Sequence, residues 1–245
     1  MNKKIDFKKD GKRIGSMSLN AQDTDSAKLY FYGDIVSESW QSKYFTEDKC
    51  PQDIIDFFAE IDRYKEVDIY INSGGGSVFG GMAIYNILKR HPGKKTVHID
   101  GIAASIASVI ALAGDEVICP ANAQIMIHKP WTTLSGNADE LRKAADQLDT
   151  AQESIVTVYM QHTEEDITEE QMNQMVNDET WLTGTKAAEV FKITVTEAVE
   201  MAACVKSTYF DKYKNIPDVV KNCTEDADKL SRVERLRLEL ELICL

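Results

Sequence analysis

The sequence has no apolar run approaching the ~20 residues that span a bilayer. Its longest candidate, Ile102 to Ala113, is broken by Ser105 and Ser108. The positive start, Met1-Asn2-Lys3-Lys4, has no apolar segment behind it of the kind a secretory signal carries. Basic charge is scarce: 28 Lys and Arg against 40 Asp and Glu leave a formal charge of −12. Phosphate binding needs a basic face, so nucleic acid is not expected as a partner. Cys50, Cys119, Cys204, Cys223 and Cys244 lie far apart and form no CxxC pair, which argues against a zinc site or a redox dithiol. No two of His91, His98, His128 and His162 have the spacing of a metal-binding helix. The expectation is a soluble, unexported, cytoplasmic protein with free thiols, no metal, no cofactor and no membrane contact.

The chain of 245 residues is 43% hydrophobic, which suffices for one large α/β domain with a tail. Residues 1–27 are polar and form an N-terminal segment. Asp10-Gly11 within Lys9 to Lys12 suits a hairpin turn, because glycine tolerates positive φ. Lys28 to Ile35 alternates as a strand does. Pro51 to Ile61 carries apolar residues at helical spacing, with proline near the first turn. Strand-like runs follow at 67–72, 96–100, 116–119 and 123–128. Helices are expected from Ser77 to about Arg90 and from Ala104 to Ala113, with Gly114 as a C-terminal stop. Strands alternating with helices argue for a largely parallel sheet. One long helix is expected over 137–163, with an apolar stripe from Leu141 to Tyr159. Thr168 with Gln171 predicts a capping box for a helix over 169–177. Residues 185–191 and 196–205 read as helical, 206–225 as a linker, and 226–245 as a charged terminal helix.

Two glycine-rich turns stand between a strand and a helix. The first, Asn72-Ser73-Gly74-Gly75-Gly76-Ser77, can bend sharply and expose backbone N–H groups to a negative charge. That charge could be a phosphate or a developing oxyanion, although the turn matches no nucleotide-binding glycine motif. The second, Gly101 to Ser108, holds Ser105 among small residues. Ser105 is either an accessible nucleophile or a hydroxyl capping a helix. A serine nucleophile needs a base, and His128 is the best on offer. It ends the apolar strand 124–127, and sites in parallel sheets gather at carboxyl ends of strands. Ser108 reads as structural.

The stretches INSGGGSVFGGMAIYNIL, GIAASIASVIALAG and IMIHKP stand in the same order, at similar spacing, as in the Clp peptidase family. They resemble that family's oxyanion loop, nucleophile turn and histidine strand, within a match over about 28–205. The resemblance implies an α/β fold: a twisted, crotonase-like β-sheet with flanking helices and a long handle helix at 137–163. It implies a peptidase domain at 28–205, followed by a linker and tail at 206–245. It also implies Ser105 as nucleophile, His128 as base, and the N–H groups of Gly76 and Ile106 as oxyanion donors. Gly74 stands where the family usually has proline, and Ile106 where it often has methionine. The position of the family's aspartate falls on Glu179, with Asp178 beside it as the other candidate.

The implied activity is serine endopeptidase chemistry that itself consumes no ATP, in a ring-forming homo-oligomer of heptamers or stacked rings. Asn177 to Trp181 is similar to Clp-like peptidases of phage and prophage head assembly, which implies scaffold or capsid protein as substrate inside a prohead. The alternatives are a general Clp-type peptidase served by a AAA+ unfoldase, a non-catalytic assembly subunit, and an acyl-CoA enzyme of the crotonase type.

Overall fold

The computed structural model describes residues 2–9, 12–20, 25–35, 59, 61, 64–198 and 207–220, with side chains described essentially from residue 25 onward. The helix expected over 51–61 and the terminal helix over 226–245 lie outside the described residues, apart from positions 59 and 61.

Among the described residues, nine strands form one sheet. β1 (Asn2–Lys9) and β2 (Lys12–Asn20) pair antiparallel with Lys9 opposite Lys12; Asp10 and Gly11, the expected turn residues, lie outside the described residues. β2 pairs in turn with β3 (Ser26–Gly33). From there the ladder is parallel: β3, β4 (Glu66–Ser73), β5 (Lys94–Ala104), β6 (Glu116–Pro120) and β9 (Thr194–Thr196). Buried alternate residues such as Leu29, Phe31, Ile69, Ile71, Val97 and Ile99 drive the pairing, because each strand hides an apolar face against the helices.

β5 changes partner along its length. Thr96 to His98 pair with β6, whereas Ile102 to Ala104 pair with β7 (Gln124–Ile127). β7 then pairs antiparallel with β8 (Thr180–Thr183). This corrects the expectation of a strand over 96–100 that gives way to a turn at Gly101. The strand runs on to Ala104, and Gly101 serves a close approach: a Cβ there would lie 2.9 Å from Asn72 Oδ1. Asn72 Oδ1 accepts instead from the Ile102 N–H at 3.2 Å.

Helix α1 (Val78–Arg90) is capped by Ser77 and buries Ile84, Tyr85 and Leu88. Helix α2 (Ile106–Ala111) is wholly buried, and shorter than expected because Ala104 still belongs to β5. Helix α3 (Ala138–Gln161) starts with a capping box on Asn137. Its apolar stripe is not uniformly covered: only Ile155, Val156, Val158 and Tyr159 are buried, while Leu141 is 45% exposed. Helix α4 (Glu169–Asn177) carries the Thr168–Gln171 capping box, with both reciprocal bonds formed. Helix α5 (Gly184–Ala187) is a single turn. Residues 194–196 form β9, so Thr196, the first residue of the helix expected over 196–205, ends a strand instead; residues 199–205 of that expectation lie outside the described residues, and Thr194, Val195 and Thr196 suit the pleated edge they occupy. The stretch read as a linker carries Phe210, Tyr213 and Val220, which are buried against Ile102, Ala104 and Met126.

Among the described residues, no helix is long and apolar enough to cross a membrane.

Candidate active site

Three loops leave the carboxyl ends of β4, β5 and β7 side by side. β4 ends in the Gly74–Gly76 turn, β5 in Ser105, and β7 in His128. Parallel strands present their carboxyl ends together, so three distant segments meet on one edge.

Ser105 has φ 55° and ψ −128°, a conformation costly for any residue with a Cβ. The surroundings hold it there. Its N–H donates to Met126 C=O at 2.8 Å, and its C=O accepts from Ser108 N–H and Oγ at 3.0 and 2.6 Å. The hydroxyl makes no capping bond to α2. It lies 2.8 Å from Nε2 of His128. Ser108 Oγ also meets the buried Tyr159 hydroxyl at 2.7 Å and acts as a brace under the turn.

His128 is half-buried, and burial pushes its pKa down to about 4, against an upward pull from the negative charge of Glu179. The imidazole is therefore neutral near pH 7. A neutral ring that accepts at Nε2 carries its proton on Nδ1, the tautomer that a nearby carboxylate favours.

Strand register brings the carboxylate to the histidine. β7 and β8 pair antiparallel through Ile127 opposite Thr180, so the next step sets Glu179 opposite His128. Glu179 follows the C-cap of α4 with φ 53°, the left-handed position that ends many helices and usually takes glycine. That turn swings the chain from α4 into β8. Glu179 is buried at 9% exposure, and its Oε1 accepts from the N–H groups of Lys214 and Asn215 at 2.6 and 2.7 Å. Asp178 is exposed and accepts from Gln174 Nε2 at 2.8 Å, on the surface of α4. Of the two candidates, Glu179 is the carboxylate brought to His128.

Gly75 and Gly76 have φ 97° and 148°. A Cβ on Gly75 would stand 2.7 Å from both Ala104 O and Ser105 Cβ, so the turn packs directly on the serine. Ile35 bridges this turn: its N–H donates to Gly75 C=O at 2.8 Å, and its C=O accepts from Ser77 N–H at 2.9 Å. In such a bridge the intervening N–H, that of Gly76, points to the opposite side. Ile106 N–H opens α2 next to Ser105, where first-turn N–H groups have no intrahelical acceptor.

The other histidines stand apart. His98 meets Asp68 at 3.2 Å on the sheet, and His162 ends α3 against the Tyr85 hydroxyl at 3.2 Å. His91 is buried and takes the Gly93 N–H at 3.1 Å. Among the described residues, no cluster of side chains could hold a metal ion.

Sequence reasoning missed residues 207–220. Tyr213 sits edge-on to His128, with ring centres 5.0 Å apart, and its hydroxyl donates to Gly74 C=O at 2.5 Å. The available signal was aromatic: Tyr209, Phe210 and Tyr213 crowd into a stretch that is otherwise polar.

A strained serine, a neutral histidine and a carboxylate thus stand beside a glycine turn at the carboxyl ends of parallel strands. The model of the Clp protease family matches residues 42–193, more than half of the chain. The chain belongs to the Clp protease family, and its parallel-dominated sheet with flanking helices is that family's fold. It is 34% identical over 131 residues to the ATP-dependent Clp protease proteolytic subunit 2 of Thermobifida fusca, covering 52% of this chain and 63% of that protein. It is 30% identical over 112 residues to the ATP-dependent Clp protease proteolytic subunit of Bacteroides thetaiotaomicron, covering 45% and 51%. The corresponding subunit of Porphyromonas gingivalis is 30% identical over 130 residues, covering 52% and 58%. The chain thus spans between half and two thirds of the length of these relatives.

Proposed function

We propose that the chain is a serine endopeptidase of the general Clp type. The observation that carries this reading is the 2.8 Å contact between Ser105 Oγ and Nε2 of a neutral His128. Ser105 Oγ attacks the scissile carbonyl carbon while its proton passes to His128 Nε2. The tetrahedral oxyanion takes hydrogen bonds from Gly76 and Ile106 N–H, donors typically worth ~3–4 kcal/mol each in a transition state. Glu179 holds the imidazolium that forms. The C–N bond then breaks, the amine leaves with the proton from His128, and an acyl-serine remains. Water repeats the sequence, with its proton passing to His128, and releases the carboxylic acid and Ser105.

The first half of α3 projects uncovered, with Leu141 exposed, and supports a homo-oligomer in which these helices pack between copies in rings. The relatives are named as proteolytic subunits of an ATP-dependent protease. We extend this to a polypeptide substrate delivered by a separate AAA+ unfoldase. The narrower role in prohead maturation rests on the resemblance of residues 177–181.

Labelling by a fluorophosphonate, read by intact-protein mass spectrometry, tests the chemistry. One adduct per chain is expected on the wild type and on Asp178→Asn, none on Ser105→Ala or His128→Ala, and a much slower one on Glu179→Gln. Labelling that survives Ser105→Ala would refute the assignment. Cleavage of unfolded casein with an unfoldase, against unaided cleavage of a folded scaffold protein, separates the general role from the maturation role.

A further inference from the structure

Residues 207–220 touch the glycine turn at Gly74, Ser105, His128 and Glu179. Thr208 fastens the segment: its N–H and Oγ1 both donate to Asp34 Oδ2, at 2.9 and 2.6 Å, just past β3. Phe210, Tyr213 and Val220 pack on Ile102, Ala104 and Met126, the residues that lead into Ser105 and His128. Tyr213 binds the glycine turn through the Gly74 carbonyl and lies edge-on against the His128 ring. Lys214 and Asn215 give both backbone N–H groups to one oxygen of Glu179. Asn215 Nδ2 ties down the chain on which Glu179 sits, donating to Asp178 C=O at 2.9 Å.

Gly74 fits this arrangement. A Cβ at that position would fall 2.3 Å from Ser207 Oγ, in the space the segment fills. The absence of a side chain at Gly74 is what lets 207–210 lie against the turn.

We infer that Tyr213 and Asn215 are positioning residues for the chemistry of Ser105, an inference that rests on the peptidase reading above. Tyr213 fixes the oxyanion turn relative to His128. The 214–215 backbone, held by the Asn215 side chain, fixes Glu179. The Tyr213 hydroxyl also reaches Ser105, and the Ser105–His128 contact is intact at 2.8 Å beside it. Burial raises the Tyr213 phenol well above its ordinary range, opposed by a hydrogen bond with Ser105, so it remains a protonated donor at any working pH. A carboxylate oxygen that accepts two N–H groups is also fixed in orientation, which a glutamate with its extra rotatable bond requires more than an aspartate would.

The experiment measures fluorophosphonate inactivation of the full chain, with the maximal rate kinact separated from the binding constant KI, and with thermal midpoints alongside. Tyr213→Phe keeps the ring and loses the hydroxyl, with its bond to Gly74 C=O and its contact with Ser105. Its kinact is expected to fall about tenfold, with KI within about twofold and little change in midpoint, since small misplacements of a reacting geometry cost rate rather than binding. Asn215→Ala is expected to behave alike. Wild-type kinact in both variants would overturn the inference and leave the serine chemistry standing; the segment would then be packing alone. A rise in kinact would also overturn it, since the segment would then obstruct the site. A wild type that takes no label overturns this inference together with the peptidase reading. Should Asn215→Ala not fold, Tyr213→Phe decides.

Discussion

Replacing Gly75 by alanine adds a single methyl group at the most crowded point of the candidate site. The residue sits at φ 97°, where a side chain costs on the order of 1–2 kcal/mol. The methyl would meet Ala104 O and Ser105 Cβ, both at 2.7 Å. Ala104 O is backbone, and Ser105 Cβ belongs to a turn already anchored by bonds to Met126 and Ser108, so neither can swing aside. Restoring an ordinary 3.4 Å contact moves the glycine turn away from the serine by about 0.7 Å. Misplacement by about 1 Å costs up to ~10²-fold in rate, so fluorophosphonate labelling should slow by roughly 10- to 100-fold. The thermal midpoint should fall as well, in line with a loss of about 2 kcal/mol. The assay compares second-order labelling rates of the wild type and Gly75→Ala at one oligomeric state. Labelling at the wild-type rate would refute the placement of the turn against Ser105. Slow labelling with unchanged stability would keep the placement and discard the strain argument.

The labelling rate should hold as pH falls below 6.5 and decline with a midpoint near 4, the value to which burial brings His128; a midpoint at or above 6.5 would contradict that burial. The same group links folding to pH. Its folded pKa lies below the ordinary 6.5, so the unfolded chain binds a proton first, and the stability present above 6.5 is lost as pH falls toward 4. This can be read from urea midpoints at pH 7 and pH 5. Ser108→Ala should cost about 1–3 kcal/mol by leaving the buried Tyr159 hydroxyl and Ser105 carbonyl short of a partner, while Ser105 still labels. Asp115→Ala removes the ion-pair partner, at 2.9 Å, of the buried Lys95, whose remaining bonds run to the His91 and Gly93 carbonyls; urea denaturation should register a loss of about 3 kcal/mol with labelling unchanged.

The alternation of Leu29, Phe31, Ile69, Ile71, Val97 and Ile99, and the capping residues Ser77, Asn137 and Thr168, are local signals, and local signals determined which stretches became strands and helices. The serine, the histidine and the glycine turn were legible too, because each ends a strand-like run and so belongs on the carboxyl edge of a parallel sheet. What the chain does beyond a single element was not legible. Gly101 reads as a stop, yet β5 continues past it because Asn72 of the neighbouring strand needs the space. Thr196 reads as the start of a helix, yet it ends an edge strand because β6 offers 194–196 a partner. Glu179 and Asp178 are adjacent and chemically alike. Only the β7–β8 register, through the left-handed turn at Glu179, buries one beside His128 and leaves the other on the helix surface. Tyr213 reaches the Gly74 carbonyl across 139 positions of chain, a contact no local pattern encodes. Periodicity and caps depend on neighbours a few residues away, so the sequence determined the elements and the residues able to do chemistry. Register, burial and long-range contact depend on what packs alongside, so only the tertiary structure decided which carboxylate is buried near His128 and which segment packs over it.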